Sequence, residues 1–149
     1  MTGDKPLFLI DSNILIYAYE EEASHKKQIA KKILSQAFAK KESYAVSIQN
    51  LAEFACAYLT KGKGDMRRLQ KSIKGISRHE NFIKISYTQQ TITHAMEIIT
   101  NSKNPFWDAL IAATMLENNI RHIYTENTSD FANTGITAIN PFAKHTPNK

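Results

Sequence analysis

The sequence has little that would tie it to a membrane or to an oxidising compartment. Its 149 residues include one cysteine, Cys56, so an internal disulfide is excluded. The apolar run within the opening MTGDKPLFLID is far too short for a signal-peptide core or a membrane span. We therefore expect a cytoplasmic protein with no membrane association. The apolar neighbours of Cys56 in FACAYL predict that its thiol is buried.

The common cofactor and zinc motifs are also missing. The five histidines form neither an HExxH pair nor a Cys/His spacing, which argues against a structural zinc or a zincin site. The segment KGKGD lacks the spacing of a P-loop, no GxGxxG follows a strand, and there is no serine nucleophile elbow. The carboxylates are then the side chains in which to look for chemistry.

Length and composition indicate a soluble, folded chain. Hydrophobic residues make up 42% and charged residues 22%, and 149 residues suit one domain with its own core. We expect that domain to span residues 1–142 and to be followed by a polar tail, 143–149. Nineteen Lys and Arg against fourteen Asp and Glu give a formal charge of +5, which favours polyanionic partners without proving any.

Short β-rich runs alternate with longer helical ones. The predicted strands are Leu7 to Ile10, Tyr44 to Ser47, Phe82 to Ile85, His122 to Thr125 and Ile136 to Ile139. Apolar stripes at helical spacing lie at Ile29, Ala30, Ile33, Leu34, Ala37 and Phe38, at Met66, Leu69, Ile73 and Ile76, and at Ile92, Ala95, Met96 and Ile99. A further helix near Pro105 is apolar on all sides, so we expect it to be the most buried. Strands joined through helices run parallel, which predicts an α/β fold with a mostly parallel five-stranded sheet and helices on both faces.

Three carboxylates stand out against apolar surroundings. Asp11 closes the first predicted strand, Glu53 lies in VSIQNLAEFACAYL, and Asp108 falls in the first turn of the most buried helix. In parallel sheets, ligands collect at the carboxyl ends of the strands, where all three acids are expected. Ionised carboxylates beside so much apolar sequence are costly to desolvate unless they are paired or coordinate a metal.

Each acid also has a purely structural explanation. Asp11, taken alone, is best explained as a turn or N-cap residue before a helix. Glu53 could be a solvent-facing position, although its neighbours leave little polar face. Asp108 could satisfy a helix dipole, yet in a buried helix it still needs a partner.

Cationic and aromatic residues offer candidate contacts to nucleic acid. One group is Lys26, Lys27, Lys31 and Lys32, and a denser group is Lys61, Lys63, Arg67, Arg68, Lys71, Lys74 and Arg78. Solvated helix faces explain the first group at least equally well, whereas the second is more suggestive of phosphate contact. Phe106 and Trp107 could stack on bases, although a core or interface position is the more ordinary explanation.

Four segments together resemble one family. FLIDSNILIYA, SIQNLAEF, FWDALIAA, and YTENTSDF followed by GITAINPF span residues 8 to 142 in the order of the PIN-domain ribonucleases, and within them of the VapC-like toxins of toxin–antitoxin pairs. This resemblance implies a metal-dependent endoribonuclease with a three-layer α/β/α sandwich. It also implies that Asp11, Glu53 and Asp108 are acidic ligands of Mg²⁺ or Mn²⁺.

The fourth acidic position departs from the family pattern. By resemblance it falls on Asn127, with Glu126 and Asp130 flanking it as further candidate metal ligands. An Asn can coordinate Mg²⁺ through its amide oxygen but adds no charge. Asn13 and Thr125 match polar positions beside the site of the family.

The resemblance further implies an RNA substrate, a small cognate antitoxin and a homodimer. Exposed apolar surface around Ile29 to Phe38 is one candidate dimer interface. Two alternatives stay open: a PIN-like RNA-processing nuclease without an antitoxin, and a non-catalytic nucleic-acid or protein binding module, which Asn127 favours.

Overall fold

The computed structural model describes residues 6–61 and 64–143. Its strands are β1 (Phe8–Ile10), β2 (Tyr44–Ser47), β3 (Phe82–Ile85), β4 (His122–Tyr124) and β5 (Thr137–Ile139). They form one sheet in the order β3-β2-β1-β4-β5, and every pairing is parallel. The prediction of five strands is confirmed, with β1, β4 and β5 each one residue shorter than predicted.

Within the described residues, six helices connect or flank these strands. They are α1 (Ser12–Ala18), α2 (His25–Ala39), α3 (Ile48–Thr60), α4 (Met66–Arg78), α5 (Gln89–Ser102) and α6 (Phe106–Glu117), with a 3₁₀ turn at Thr128–Phe131. Side-chain N-caps begin several of them: Ser24 accepts from the Lys27 amide at 3.0 Å, and Asp65 accepts from the Arg67 amide at 2.9 Å. The segment KGKGD, residues 61–65, therefore ends at the cap of α4, while its Gly62 and Lys63 lie outside the described residues.

Neighbouring strand residues point to opposite faces of the sheet, and both faces are covered. Ile10 and Val46 belong to a core shared with residues of α1, α2, α3 and α4. Leu9 and Ala45 belong to a second core that contains Ile111 of α6. Because side chains alternate along a strand, this division puts helices on both sides of the sheet. The three-layer α/β/α sandwich is confirmed, and α6 is buried continuously from Ala109 to Met115.

Two expectations about the surface are wrong. Ala30, Ile33, Leu34 and Ala37 of α2 are buried, and Ile29 and Phe38 pack against the same core, so this stripe offers no exposed apolar face for a dimer. Cys56 is exposed. The inward face of α3 follows the spacing of Leu51, Phe54, Ala55 and Tyr58, and Cys56 lies off that stripe.

The remaining stripes are only partly buried. Leu69 and Ile76 of α4 are buried, whereas Met66 is 49% exposed; on α5, Ala95 is buried and Met96 is 59% exposed. None of the helices formed by the described residues is both long and apolar enough to cross a bilayer. Of the predicted polar tail, 144–149 lies outside the part of the chain that the structure describes.

Candidate metal centre

Four carboxylates meet at the carboxyl edge of the sheet. Asp11 directly follows β1, and Glu53 lies in the second turn of α3, which begins where β2 ends. Asp108 is in the first turn of α6, and Asp130 is in the 3₁₀ turn after β4. Their charges act on one another, since Asp11, Asp130 and Glu53 all raise the pKa of Asp108. The three acids expected from the sequence are thus brought together, with Asp130 beside them.

Asp11 is the most buried and most firmly held of these acids. It is 4% exposed. Its Oδ1 accepts from the Ser12 amide at 2.7 Å and from Asn50 Nδ2 at 3.1 Å, and its Oδ2 accepts from Thr125 Oγ1 at 2.7 Å. Burial raises the pKa of Asp11, while the hydrogen bonds from Thr125 and Ser12 oppose that rise. The residue is both the N-cap of α1 and part of the acidic cluster, so its two explanations are compatible.

Asn13 and Thr125 join this network from the two sides. Asn13 Nδ2 lies 3.3 Å from Thr125 Oγ1 and 3.4 Å from Asp11 Oδ2, and Asn13 Oδ1 accepts from the Glu126 amide at 3.3 Å. These bonds tie the start of α1 to the segment after β4. The resemblance pointed to both residues, and the structure places both against Asp11.

Asn50 supports Asp11 and was given no role from the sequence. It is fully buried. Its backbone amide donates to Ser47 Oγ at 2.9 Å and its Oδ1 accepts from the Ser47 backbone amide at 3.3 Å, which forms the capping box of α3. The same Oδ1 also accepts from Ser47 Oγ at 2.7 Å. The same side chain then donates to Asp11. A Ser-x-x-Asn pattern where a strand meets a helix was the available signal.

Glu53 has a buried oxygen without a partner. The residue is half-buried, and its Oε1 is shielded from solvent with no hydrogen bond in the described structure. Burial raises the pKa of Glu53 first, and the charge of Asp11 raises it further, against an opposing hydrogen bond from Gln49. A buried acceptor without a donor is costly, which makes this oxygen a natural cation ligand.

Asp108 shows the strongest effect of crowding. Burial, followed by the charges of Asp11 and Asp130, a hydrogen bond to Asp130 and the charge of Glu53, raises the pKa of Asp108 to about 7. At neutral pH this carboxyl is therefore poised between its neutral and ionised forms.

Asp130 is held in position by a residue far from it in sequence. Asn104 is buried, and its Nδ2 donates to the backbone oxygens of Asp130 at 3.0 Å and Ala132 at 2.9 Å. These bonds fix the 3₁₀ turn against the start of α6. No role was predicted for Asn104. The available signal in the sequence was a side-chain amide directly before Pro105.

Glu126 and Asn127 take other positions. The Glu126 carboxylate pairs with Lys26 and interacts with Tyr17; burial raises its pKa, but hydrogen bonds from these two residues lower it overall. Asn127 is exposed, and its backbone amide donates to Thr125 Oγ1 at 3.1 Å. The placement favours Asp130 over Glu126 and Asn127 as the fourth acid.

The chemistry of the donor set fits a hard divalent cation. Within residues 6–61 and 64–143, no three His, Cys, Asp or Glu side chains are arranged as they stand to hold an ion. Nevertheless, the cluster supplies only oxygen donors, one of them buried without a partner, and the mutual repulsion of its charges would be offset by a cation. Mg²⁺ and Mn²⁺ suit these ligands.

The candidate nucleic-acid contacts are exposed cations of α4 and two aromatic rings next to Asp108. In α4, Arg67, Arg68, Lys71, Lys74 and Arg78 are exposed, and the helix has no acidic residue. Lys63, expected in the same group, lies outside the described residues. Trp107 is 59% exposed and Phe106 38%, so neither lies in the core, and the alternative of an interface position stays a prediction. The Trp107 carbonyl accepts from Gln49 Nε2 at 3.0 Å, which joins α6 to α3 beside the acids.

These observations define the class of the protein. It is a parallel α/β/α domain with carboxylates at the carboxyl edge of its sheet, which is an acidic site of the type that binds cations. The model of the PIN domain family matches residues 8–136. The chain therefore belongs to the PIN domain family. No curated protein gives a significant match.

Solved structures share the fold at low identity. A toxin–antitoxin complex from Klebsiella pneumoniae is 23% identical, with a TM-score of 0.64 over 91% of this chain and 98% of that one. Mycobacterium tuberculosis VapC20, described as a Sarcin-Ricin loop cleaving toxin, is 17% identical, with a TM-score of 0.66 over 85% and 95%. VapBC2 from Rickettsia felis, bound to a promoter DNA fragment, is 16% identical, with a TM-score of 0.65 over 90% and 98%.

Proposed function

We propose that this chain is a metal-dependent endoribonuclease and the toxin of a toxin–antitoxin pair. The observation that carries the proposal is the convergence of Asp11, Glu53, Asp108 and Asp130 at one sheet edge. A purely structural role does not explain four acids that repel one another, because such a cluster costs stability unless a cation compensates it.

Each residue has a distinct task in this proposal. Asp11, Glu53 and Asp108 would hold Mg²⁺ or Mn²⁺, with Asp130 as a fourth acidic group. When bound, the cation supplies Lewis acidity and activates water for attack on a phosphodiester. Asn50 and Thr125 keep the two oxygens of Asp11 in place by donating to them. No side chain of the protein needs to act as a nucleophile.

Asp108 also controls a proton. With a pKa of about 7, its carboxyl holds a proton in part of the population at neutral pH, stabilised by the adjacent Asp130. Asp108 must lose that proton before the carboxylates of Asp108 and Asp130 can both serve as ionised ligands. Cation binding is therefore expected to release protons and to strengthen as pH rises.

RNA is the proposed substrate, and α4 is its proposed docking face. The exposed cations of α4 have no acid within the helix to neutralise them, and none forms an ion pair in the described part of the chain. Such a face suits a phosphate backbone. Trp107 is next to Asp108 and largely exposed, which supports the proposal that it would stack on a base near the acids.

The proposal of an antitoxin partner is supported by the structural likeness to toxin–antitoxin proteins. An RNA-processing nuclease without an antitoxin shares the same site and differs only in that partner. A non-catalytic binding module is less favoured, because Asp130 supplies the charge that Asn127 lacks and a pure polyanion binder gains nothing from converging carboxylates.

Cleavage of a mixed pool of tRNA and rRNA tests the proposal. The purified parent chain is incubated with the RNA in Mg²⁺ or Mn²⁺, and separately in EDTA. The Asp108→Asn variant is tested in the same way, and Glu97→Gln, which changes an exposed acid of α5, is the control. Defined cuts that disappear with EDTA and with Asp108→Asn, but persist with Glu97→Gln, are expected. If parent and variant leave RNA intact and bind it equally, the binding-module function replaces this one.

A further inference from the structure

A second cleft opens beside the amino ends of β1 and β2 and reaches Tyr124, the last residue of β4. Its volume is about 810 Å³, which is within the range of pockets for small ligands. It is lined by Phe8 and Tyr44, the first residues of β1 and β2, and by residues 40–43 of the loop that precedes β2. The acidic cluster follows the other ends of these strands, so the two sites are distinct.

Aromatic rings form one wall of this cleft. Phe8 and Tyr124 stack with ring centres 4.3 Å apart and planes 17° from parallel, and Tyr44 lies 6.3 Å from Tyr124. All three side chains are half-buried, so part of each ring faces the cleft. The Tyr44 hydroxyl donates to Gln36 Oε1 at 3.2 Å, and the Gln36 amide also lines the cleft. The wall therefore places aromatic rings beside polar groups, a combination that suits a flat heterocycle.

The rim of the cleft carries a net positive charge. Lys40 and Lys41 are exposed, and neither forms an ion pair within the described residues. Among the described residues that line the cleft, Glu42 is the one acid, and it is exposed on the turn between Lys41 and Ser43. Two flexible ammonium groups beside an aromatic wall suit a ligand that joins a ring to a negative charge.

We propose that this cleft binds a phosphorylated nucleobase, with the base against Phe8, Tyr44 and Tyr124 and the phosphate near Lys40 and Lys41. The ligand could be a free mononucleotide or one nucleotide of an RNA strand, since the two share this chemistry. The second source rests on the proposed ribonuclease function, whereas the first does not. Tyr124 adjoins the acidic site as well, because its backbone oxygen accepts from the Asp11 amide at 3.1 Å.

Calorimetric titration of the full chain in EDTA tests the cleft without reading cleavage. The probes are adenosine 5′-monophosphate, adenosine, inorganic phosphate and a short single-stranded oligoribonucleotide. The monophosphate is expected to bind about tenfold or more tightly than either adenosine or phosphate, because stacking and charge act together. Failure here leaves the ribonuclease proposal intact, since neither metal nor turnover is involved.

Matched charge reversals locate the binding. Lys40→Glu/Lys41→Glu is expected to weaken binding of the monophosphate about tenfold or more, whereas Lys31→Glu/Lys32→Glu, the same charge change at exposed positions of α2, leaves it within about twofold. If the oligoribonucleotide binds but the monophosphate does not, and Lys40→Glu/Lys41→Glu is the one variant that loses this binding, the cleft binds one nucleotide of an RNA strand. Equal losses in both variants, or no binding of any nucleotide probe, overturn the proposal.

The aromatic wall is tested separately. Tyr124→Leu keeps an apolar side chain at the end of β4 but removes the stacking face, and its folding is checked by circular dichroism. A folded variant is expected to lose about tenfold or more in affinity for the monophosphate while its affinity for inorganic phosphate is unchanged. A folded variant that binds the monophosphate as the parent does contradicts the stacking role, and the charge-reversal pair remains decisive if Tyr124→Leu does not fold.

Discussion

Asn50 donates a hydrogen bond of 3.1 Å to Asp11 across a sequence separation of 39 residues, and both side chains are buried. The same Asn50 closes the capping box of α3 with Ser47. The start of α3 and the most buried acid of the site are therefore held by one amide, so the stability of the fold and the geometry of the site are linked at this residue.

Asn50→Ala is expected to destabilise the protein by roughly 1–3 kcal/mol, because it leaves Asp11 and Ser47 without their buried partner. Urea unfolding followed by circular dichroism measures the change. Asn101→Ala, an exposed helical position whose amide donates only to the Glu97 carbonyl, is the control and should stay within about 0.5 kcal/mol. Equal effects of the two substitutions would show that the Asn50 bonds carry no net stability.

The pKa of Asp108 predicts how the metal-free protein responds to pH. Its native pKa is about 7 against an ordinary value of 3.8, so between these values the folded chain binds more protons than the unfolded chain. Stability should therefore fall as pH rises from about 4 to about 7, and the raised pKa values of Asp11 and Glu53 act in the same direction. Thermal unfolding in EDTA at pH 5, inside that window, and at pH 8, above it, measures this fall.

Asp108→Asn removes the titrating group and supplies the control. The variant should melt at a higher temperature than the parent at pH 8, by about 2–4 °C for each kcal/mol of repulsion that is relieved. Its advantage should shrink at pH 5, where the parent carboxyl is protonated. A parent protein that becomes more stable from pH 5 to pH 8 in EDTA would contradict this account of the acidic cluster.

Mg²⁺ or Mn²⁺ should reverse this instability. A ligand that binds only the folded state stabilises it by about 2.7 kcal/mol at a hundredfold excess over its Kd, so the melting temperature should rise with cation concentration at pH 8. Glu53→Gln should reduce that rise, because the buried Oε1 is one of the expected ligands. Glu97→Gln should keep it, and a rise that Glu53→Gln leaves unchanged would place the cation elsewhere.

The sequence predicts the strands and three of the acids because each depends on local signals. β2 and β3 each follow a turn and contain β-branched and aromatic residues, and Asp11 follows an apolar strand. The sequence named Asp130 only as one of three candidates, because its position depends on Asn104, which is 26 residues away and donates to its backbone oxygen. The same limit applies to Cys56, since which face of α3 points inward is decided by packing rather than by composition.

The cationic face of α4 predicts the salt dependence of RNA binding. For a single strand, each phosphate contact contributes about 0.7 to the steepness of the plot of log affinity against log salt. Lys71→Gln/Lys74→Gln removes two such contacts and should therefore make the plot less steep by about 1.4, measured by fluorescence anisotropy in EDTA. Lys31→Gln/Lys32→Gln removes the same charge from α2, and a slope that falls equally in both variants would indicate general attraction instead of docking on α4.

The choice between Asp130 and Asn127 as the fourth acidic group can be decided from the proton on Asp108. Asp130 raises the pKa of Asp108 both by its charge and by a hydrogen bond, so Asp130→Asn should lower that pKa toward the ordinary value of 3.8. Asn127→Ala should leave it unchanged, because Asn127 carries no charge and is exposed. Titration of the carboxyl carbon of Asp108 by NMR in EDTA measures the pKa directly.

In parallel, Asp130→Asn should weaken stabilisation by Mg²⁺ while Asn127→Ala retains it. If Asn127→Ala alone weakened that stabilisation, the amide at Asn127 would be the fourth ligand, and the position inferred from resemblance would be restored over the one favoured by the structure.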